Sequence, residues 1–457
     1  MTLPQHFIQS ITNMQGFEKE TFEAVHTAEE QITSIRINSA KIIDSKLPIA
    51  DSAIDNLKSV PWCANGFYLA QRPSFTLDPA FHAGAYYVQE ASSMFLWHAM
   101  QQIFANNTAQ KVLDVCAAPG GKSSLLSNFF TNGLVISNEV IKSRAAVLVE
   151  NMTKWGTDNT IVTNNDPKDF AALGAYFDAI VVDAPCSGSG MFRKDAASAD
   201  EWSLNNVALC SQRQQRIVAD VYEALKEEGV LIYSTCSYSK EENEDIADWI
   251  ISTLGATSIQ LEIQQEWNIV ETQSDEQKAF GYRFYPDKLQ GEGFFIAAFK
   301  KNVVVNEFKL KQQHITAPTK QEIQVLQSFV QIPEQYTFFK HNTEIRAIST
   351  DWLNELKTLA GHLYIKKAGI CIGEVKGKDF VPHHELAVST LNLSNIATVH
   401  LNREQALQYL RRKEMAIEPA IKGWALATYE GLELGWVKLL PNRVNNYYPQ
   451  EWRILKN

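Results

Sequence analysis

The sequence is sparing with the features that usually assign a protein. Six cysteines occur in 457 residues, at 63, 116, 186, 210, 236 and 371, and no two form a Cys-x-x-Cys pair. Neither a zinc ribbon nor a thioredoxin-type motif is expected. Cysteines scattered this thinly fit free thiols in a reducing cytoplasm. A functional one is then a nucleophile before it is a disulfide partner. No stretch approaches about 18 uninterrupted apolar residues, so no membrane span is expected. Met1–His6 has no basic stretch leading into an apolar run, so no secretory signal is expected. Internal repeats and low-complexity tracts are also missing. Positive charge is scarce: 42 Lys+Arg stand against 52 Asp+Glu, a net −10, which disfavours a polyanionic partner. The shortage is uneven, because residues 301–457 hold 20 basic and 15 acidic side chains. Contact with nucleic acid would draw mainly on that last third.

What is present is ordinary globular material, 45% hydrophobic and 21% charged, enough for two to four domains at about 100–200 residues each. Residues 1–100 suggest a small α/β module. In it Ser34–Asn38 alternates as a half-buried strand does, and Gln89–Gln102 carries Met94, Phe95, Trp97 and His98 in a largely helical pattern. From Lys111 strands alternate with helices. Short apolar runs at 111–115, 134–137, 160–163, 179–182 and 230–234 predict five strands. Helices are predicted from Gly121, over Ile141–Trp155 with Gly156 as its stop, and over Gln212–Glu228. Ser239-Lys240-Glu241-Glu242 fits a capping box. This order predicts an α/β fold with a Rossmann-like, doubly wound parallel sheet over residues 101–300. A polar linker is expected over 301–325, and a separate small region over 326–457.

In such sheets ligands bind beyond the carboxyl ends of the strands. The polar residues expected to converge there are the turn Cys116-Ala117-Ala118-Pro119-Gly120-Gly121-Lys122, Glu139, Asp166, Asp183 and Cys236. The glycine turn lets a ligand approach a helix N-terminus. Glu139, about 20 residues later at the end of the second strand, has the spacing of a ribose-binding acid. The turn lacks the Gly-x-Gly-x-x-Gly pattern that cradles a pyrophosphate. Its acidic neighbours suit a cationic sulfonium, which favours S-adenosyl-L-methionine over NAD or ATP.

Cys186 follows the fourth strand in Asp183-Ala-Pro-Cys-Ser-Gly-Ser-Gly190, and Cys236 follows the fifth in Ser234-Thr-Cys-Ser237. If these strands are neighbours, both thiols face one crevice. Carbon 5 of cytosine is too weak a nucleophile to take a methyl group unaided. Adding a thiolate to carbon 6 makes it reactive, which is covalent catalysis. Asp183 could meet the ring's nitrogen 3 and exocyclic amine.

These motifs resemble the Sun-type (nucleolar-antigen/Sun) RNA cytosine-5 methyltransferases, and most closely the RsmF-like bacterial ribosomal RNA enzymes. The resemblance also rests on Tyr87-Val-Gln-Glu-Ala-Ser-Ser-Met94, the Glu-Glu-Asn-Glu run at 241–244, Arg283-Phe-Tyr-Pro286 and Gly291-Glu-Gly-Phe-Phe295. It covers about residues 30–300. It implies that Cys236 is the nucleophile, that Cys186 assists release of the methylated base, and that Cys116–Lys122, Glu139, Asp166 and Asp183 line the cofactor site. It implies an RNA-binding N-terminal module and a PUA-like RNA-binding end carrying Gly435-Trp436 and Asn446-Tyr447-Tyr448-Pro449. The expected substrate is 16S ribosomal RNA, with transfer RNA, DNA or a non-catalytic role in ribosome assembly as alternatives. A monomer without metal is expected. Arg193 and Lys194 are candidate phosphate contacts, as is the run Arg411-Arg412-Lys413. Trp424, Trp436, Tyr447 and Tyr448 are candidates for base stacking or for core packing.

Overall fold

A computed structural model describes residues 3–456 other than 29–30, 43–56, 105–109, 303–309, 330–332, 392, 394–395 and 416–421. Part of the expected linker, 303–309, therefore lies outside the described residues. Its end does not reach 325, because a helix already runs over Lys320–Phe329.

The centre is a ten-stranded sheet. Five parallel strands form its middle: β1 (Lys111–Asp114), β2 (Leu134–Asn138), β3 (Thr160–Thr163), β4 (Phe177–Asp183) and β5 (Leu225–Thr235), in the order β3-β2-β1-β4-β5. The chain reverses direction across the sheet between β1 and β4, and this is the crevice-forming switch point. Alternate residues feed opposite faces, as the two-residue strand period requires. Val112, Val135, Val181 and Ile232 pack under the helices Phe95–Ile103 and Gly121–Phe129. Leu113, Ile136, Val182 and Tyr233 pack under Leu204–Tyr222 and Glu244–Leu254. Gly156 ends the Lys142–Trp155 helix at φ +84°, a backbone conformation that favours glycine.

Three local expectations shift. The predicted Gln212–Glu228 helix is instead Leu204–Tyr222, and Leu225–Glu228 begins β5, with Leu225 opposite Phe177. The Thr33–Ile37 strand is buried along its whole length. Arg36 is buried with it, stacked over Trp155 at 4.6 Å and donating to Gln89, Ser124 and the Gly121 carbonyl. Ser239 caps nothing with its side chain, and Glu242 turns inward instead.

Antiparallel strands flank the parallel core. Phe294–Lys301 pairs with β5, followed outward by Phe280–Phe284 and Val270–Gln273. At the other edge Ile365–Ala368 pairs antiparallel with β3, so the region expected to stand apart completes the central sheet. The N-terminal part is also divided. Its four-stranded sheet shares a core with the C-terminal segments around Tyr409 and Val437, while Phe7 and Phe22 of its first helices pack on Phe192, Trp202 and Tyr238.

These parts meet at Lys41. Its ammonium donates to the carbonyls of Ala83, Lys154 and Val388 at 2.6–2.7 Å. Lys41→Met would leave three part-buried acceptors unpaired, each costing about 1–3 kcal/mol when fully orphaned. A loss of about 2–4 kcal/mol is expected in chemical denaturation, with the methionine keeping the apolar stem packed.

Candidate active site

The strand ends bring the predicted residues together from both sides of the switch point. β1 ends at Asp114, which is fully buried and accepts one hydrogen bond, from Ser123 Oγ at 2.7 Å on Oδ2. Among the described residues its Oδ1 has no partner. Burial raises its pKa to about 7, and the Asp183 charge adds to this. The native state thus holds a proton that the unfolded chain releases above about pH 4. Stability is lost as pH rises from about 4 to 7. Asp114→Asn mimics the protonated acid. It is expected to raise the stability read from urea denaturation by up to about 4 kcal/mol at pH 8 but by only about 1 kcal/mol at pH 4.5. An equal shift at both pH values would mean that the acid is not protonated.

The turn after β1 runs through Cys116–Lys122. Gly120, at φ +113°, leads into the helix Gly121–Phe129. Arg144 Nη2 and Asn151 Nδ2 donate to the Ala118 and Pro119 carbonyls at 2.7 and 2.8 Å, fixing the turn from the next helix. Burial pushes the Cys116 thiol pKa upward, which fits a spectator rather than a nucleophile. Glu139, just beyond β2, is buried. Its Oε1 accepts from the Ile141 amide at 2.9 Å. Its Oε2 lies 3.5 Å from Arg144 Nη1 and has no hydrogen-bond partner among the described residues. A buried carboxylate oxygen left open beside a glycine turn suits a ribose hydroxyl, so these residues fit the expected cofactor. Asp166 stands at the end of the next loop and caps the short helix Pro167–Leu173 in a capping box with Asp169. Asp183, ending β4, accepts from Lys122 Nζ at 2.8 Å and Ser234 Oγ at 2.8 Å.

The two strand-end cysteines are neighbours. Cys186 Sγ and Cys236 Sγ lie 3.1 Å apart as free thiols. The pairing of β4 with β5, Asp183 opposite Ser234, sets this distance. The hydrogen bond with Cys236, then burial, raise the Cys186 pKa, so it holds its proton. The loops are joined at closer range by the Gly190 amide, which donates to the Cys236 carbonyl at 2.8 Å. A Cβ on Gly190 would lie 2.3 Å from the Gly293 carbonyl oxygen, so no larger residue fits.

The residue that sequence reasoning placed wrongly is Glu242. It is wholly buried and sits between the cysteine loops. Oε1 accepts from the Ser187 amide at 2.8 Å and Gln214 Nε2 at 3.1 Å. Oε2 accepts from the Ser187 and Ser237 hydroxyls, each at 2.5 Å. Each serine follows one of the cysteines. Gln214 was missed as well; it also holds the Pro185 carbonyl. A Glu-Glu-Asn-Glu run gives no local sign that one of its acids faces inward.

Other candidates sort by burial. Arg193 is buried beside Glu292 at 3.5 Å, so it is neither a solvated charge nor an open phosphate contact. Glu292's pKa is raised to about 7 by burial. Arg411 and Arg412 donate to the Lys456 and Tyr448 carbonyls at a helix end. Trp436 and Tyr448 are core residues, whereas Tyr447 is exposed and meets Trp424 edge-on at 4.4 Å.

A parallel sheet of this order, with a glycine turn after β1 and an acid after β2, defines an S-adenosylmethionine-dependent methyltransferase. The comparisons carry this further. Residues 101–300 match a family model described as 16S rRNA methyltransferase RsmB/F, residues 3–91 the N-terminal domain of 16S rRNA methyltransferase RsmF, and residues 397–454 the methyltransferase RsmF PUA domain. Proteins named ribosomal RNA small subunit methyltransferase F from Psychromonas ingrahamii and Aliivibrio fischeri are 32% and 30% identical. They cover 98% and 92% of this chain, and 97% and 90% of their own lengths. A methyltransferase homologue from Pyrococcus horikoshii, 28% identical, superposes with a TM-score of 0.53 over 65% of this chain and 95% of its own. The chain belongs to the RsmB/F family of RNA cytosine-5 methyltransferases.

Proposed function

We propose that the protein methylates carbon 5 of one cytosine in 16S ribosomal RNA, with Cys236 as nucleophile. The observation that carries this is the 3.1 Å thiol pair at the ends of adjacent parallel strands, beside the cofactor crevice. The names of the relatives support the ribosomal substrate.

In this scheme the Cys236 thiolate adds to carbon 6, forming a carbon–sulfur bond and moving an electron pair onto the ring. Bound cofactor supplies an electrophilic methyl group for carbon 5. Release then removes the carbon 5 proton to water, re-forms the 5,6 double bond and returns the carbon–sulfur pair to Cys236. Cys186, which keeps its proton, donates S–H to that sulfur and stabilises the departing thiolate. Asp183 receives the cytosine amine, and Lys122 keeps it in place. Cys116–Lys122, Glu139 and Asp166 line the cofactor site, with Glu139 Oε2 as ribose acceptor. The module over 1–100 and the region over 326–457 hold the RNA. One chain carries every residue of this scheme, which supports a monomer. Among the described residues no helix is long and apolar enough to cross a membrane, and a ribosomal substrate supports a cytoplasmic site of action.

Bisulfite sequencing of 16S ribosomal RNA from cells with and without the gene tests the substrate. One cytosine should lose its methylation in the deletion strain. An unchanged 16S profile alongside a lost site in transfer RNA would replace this substrate.

A further inference from the structure

A cleft of about 380 Å³ lies outside the cysteine and cofactor crevice, between the edge strand Ile365–Ala368 and the C-terminal segments around His314 and Lys340. It falls in residues 313–368, which none of the three family models covers. We propose that this cleft takes one nucleotide of the RNA substrate, several positions along the strand from the target base; the inference rests on the RNA reading above.

Its size suits a nucleotide, and its lining divides as a nucleotide does. The floor is apolar, formed by the buried Phe339, Leu356 and Leu363. The rim is cationic, and among the described residues no aspartate or glutamate lines it. Lys340, Arg346 and Lys367 already pair with Glu322, Glu344 and Glu385. Among the described residues the positive charge left without an acidic partner concentrates at Lys366, whose ammonium lies 5.5 Å over the Tyr364 ring. Tyr364 is 61% exposed. An exposed ring beside a lysine offers a base a stacking face and its phosphate a counter-charge.

The position is also apt. The Tyr364 carbonyl accepts from the Asn164 amide and Asn165 Nδ2, both at 3.1 Å, and the Tyr364 amide donates to Asn165 Oδ1 at 3.0 Å. The cleft is thus fixed at the carboxyl end of β3, on the edge of the sheet where the site opens. RNA with its target base at Cys236 would cross the cofactor end of the sheet to reach it.

The test measures methyl transfer to 16S ribosomal RNA, presented both as naked transcript and in small subunits, by wild type, Lys366→Glu and Tyr364→Ala. Each variant is expected to raise KM for RNA about five- to tenfold, with kcat and the cofactor Kd unchanged. Lys366→Glu should also flatten the slope of log affinity against log salt by about one. Lys366→Gln, losing charge without reversing it, should fall between wild type and Lys366→Glu. If wild type methylates the RNA and both variants match its KM and salt slope within twofold, the cleft is not an RNA subsite. If wild type transfers no methyl group to either form, the RNA reading falls, and this inference with it.

Discussion

Cys236→Ala is expected to lower methyl transfer by at least about 10³-fold while leaving the cofactor Kd within about twofold. Without the sulfur there is no addition to carbon 6, and carbon 5 stays unreactive. Cofactor binding should survive because Glu139 follows β2 and Cys236 follows β5. Three strand spacings of about 4.8 Å separate them, roughly 14 Å. Cys186→Ala should behave differently. Cys236 can still attack, but the sulfur must leave without the S–H donor 3.1 Å away. Release becomes the slow step, and a covalent protein–RNA adduct should accumulate as a retarded band on a denaturing gel. An adduct formed by Cys236→Ala and not by Cys186→Ala would exchange the two roles.

The second large effect is expected at Glu242, which touches neither thiol. Glu242→Ala would remove the acceptor that holds Ser187 and Ser237 together and would leave the Ser187 amide buried and unpaired. The cysteines that precede those serines would lose their fixed spacing. A displacement of about 1 Å costs on the order of 10²-fold in rate, and that loss is expected in kcat with little change in cofactor affinity. Glu242→Gln separates geometry from charge. Its oxygen can still accept from the Ser187 amide and Gln214, and its amide group can donate to two serine hydroxyls, which turn to accept. Activity within about tenfold of wild type is therefore expected, since most of the loss in Glu242→Ala is positional. Equal losses in both variants would show that the charge itself matters, through the Cys186 proton.

Both effects depend on features that the sequence exposes unevenly. The five strand ends were legible because each apolar run stops at a polar or glycine-bearing turn, and the sheet order then places Cys186 against Cys236. Glu242 was not legible, since an acid three residues after Ser239 reads equally well as a cap. The helix before β5 ends earlier than its spacing predicts for a related reason. Val221 and Leu225 keep a four-residue spacing, but Leu225 is claimed by a strand through Phe177. Arg36 read as the solvent side of a strand, and only the packing of Trp155 and Ser124 around it shows otherwise. The Ile365–Ala368 strand left no trace in local pattern, because its partner is about 200 residues earlier.

That distance matters while the chain is being made. β3 emerges from the ribosome with one edge unpaired, and at about 5–20 residues per second its partner follows only about 10–40 s later. For that interval Thr160–Thr163 is an open edge of apolar and threonine side chains, the kind of template that recruits a foreign strand. The nascent chain is exposed to misassociation here, and the last third of the protein closes the vulnerable edge of the middle third.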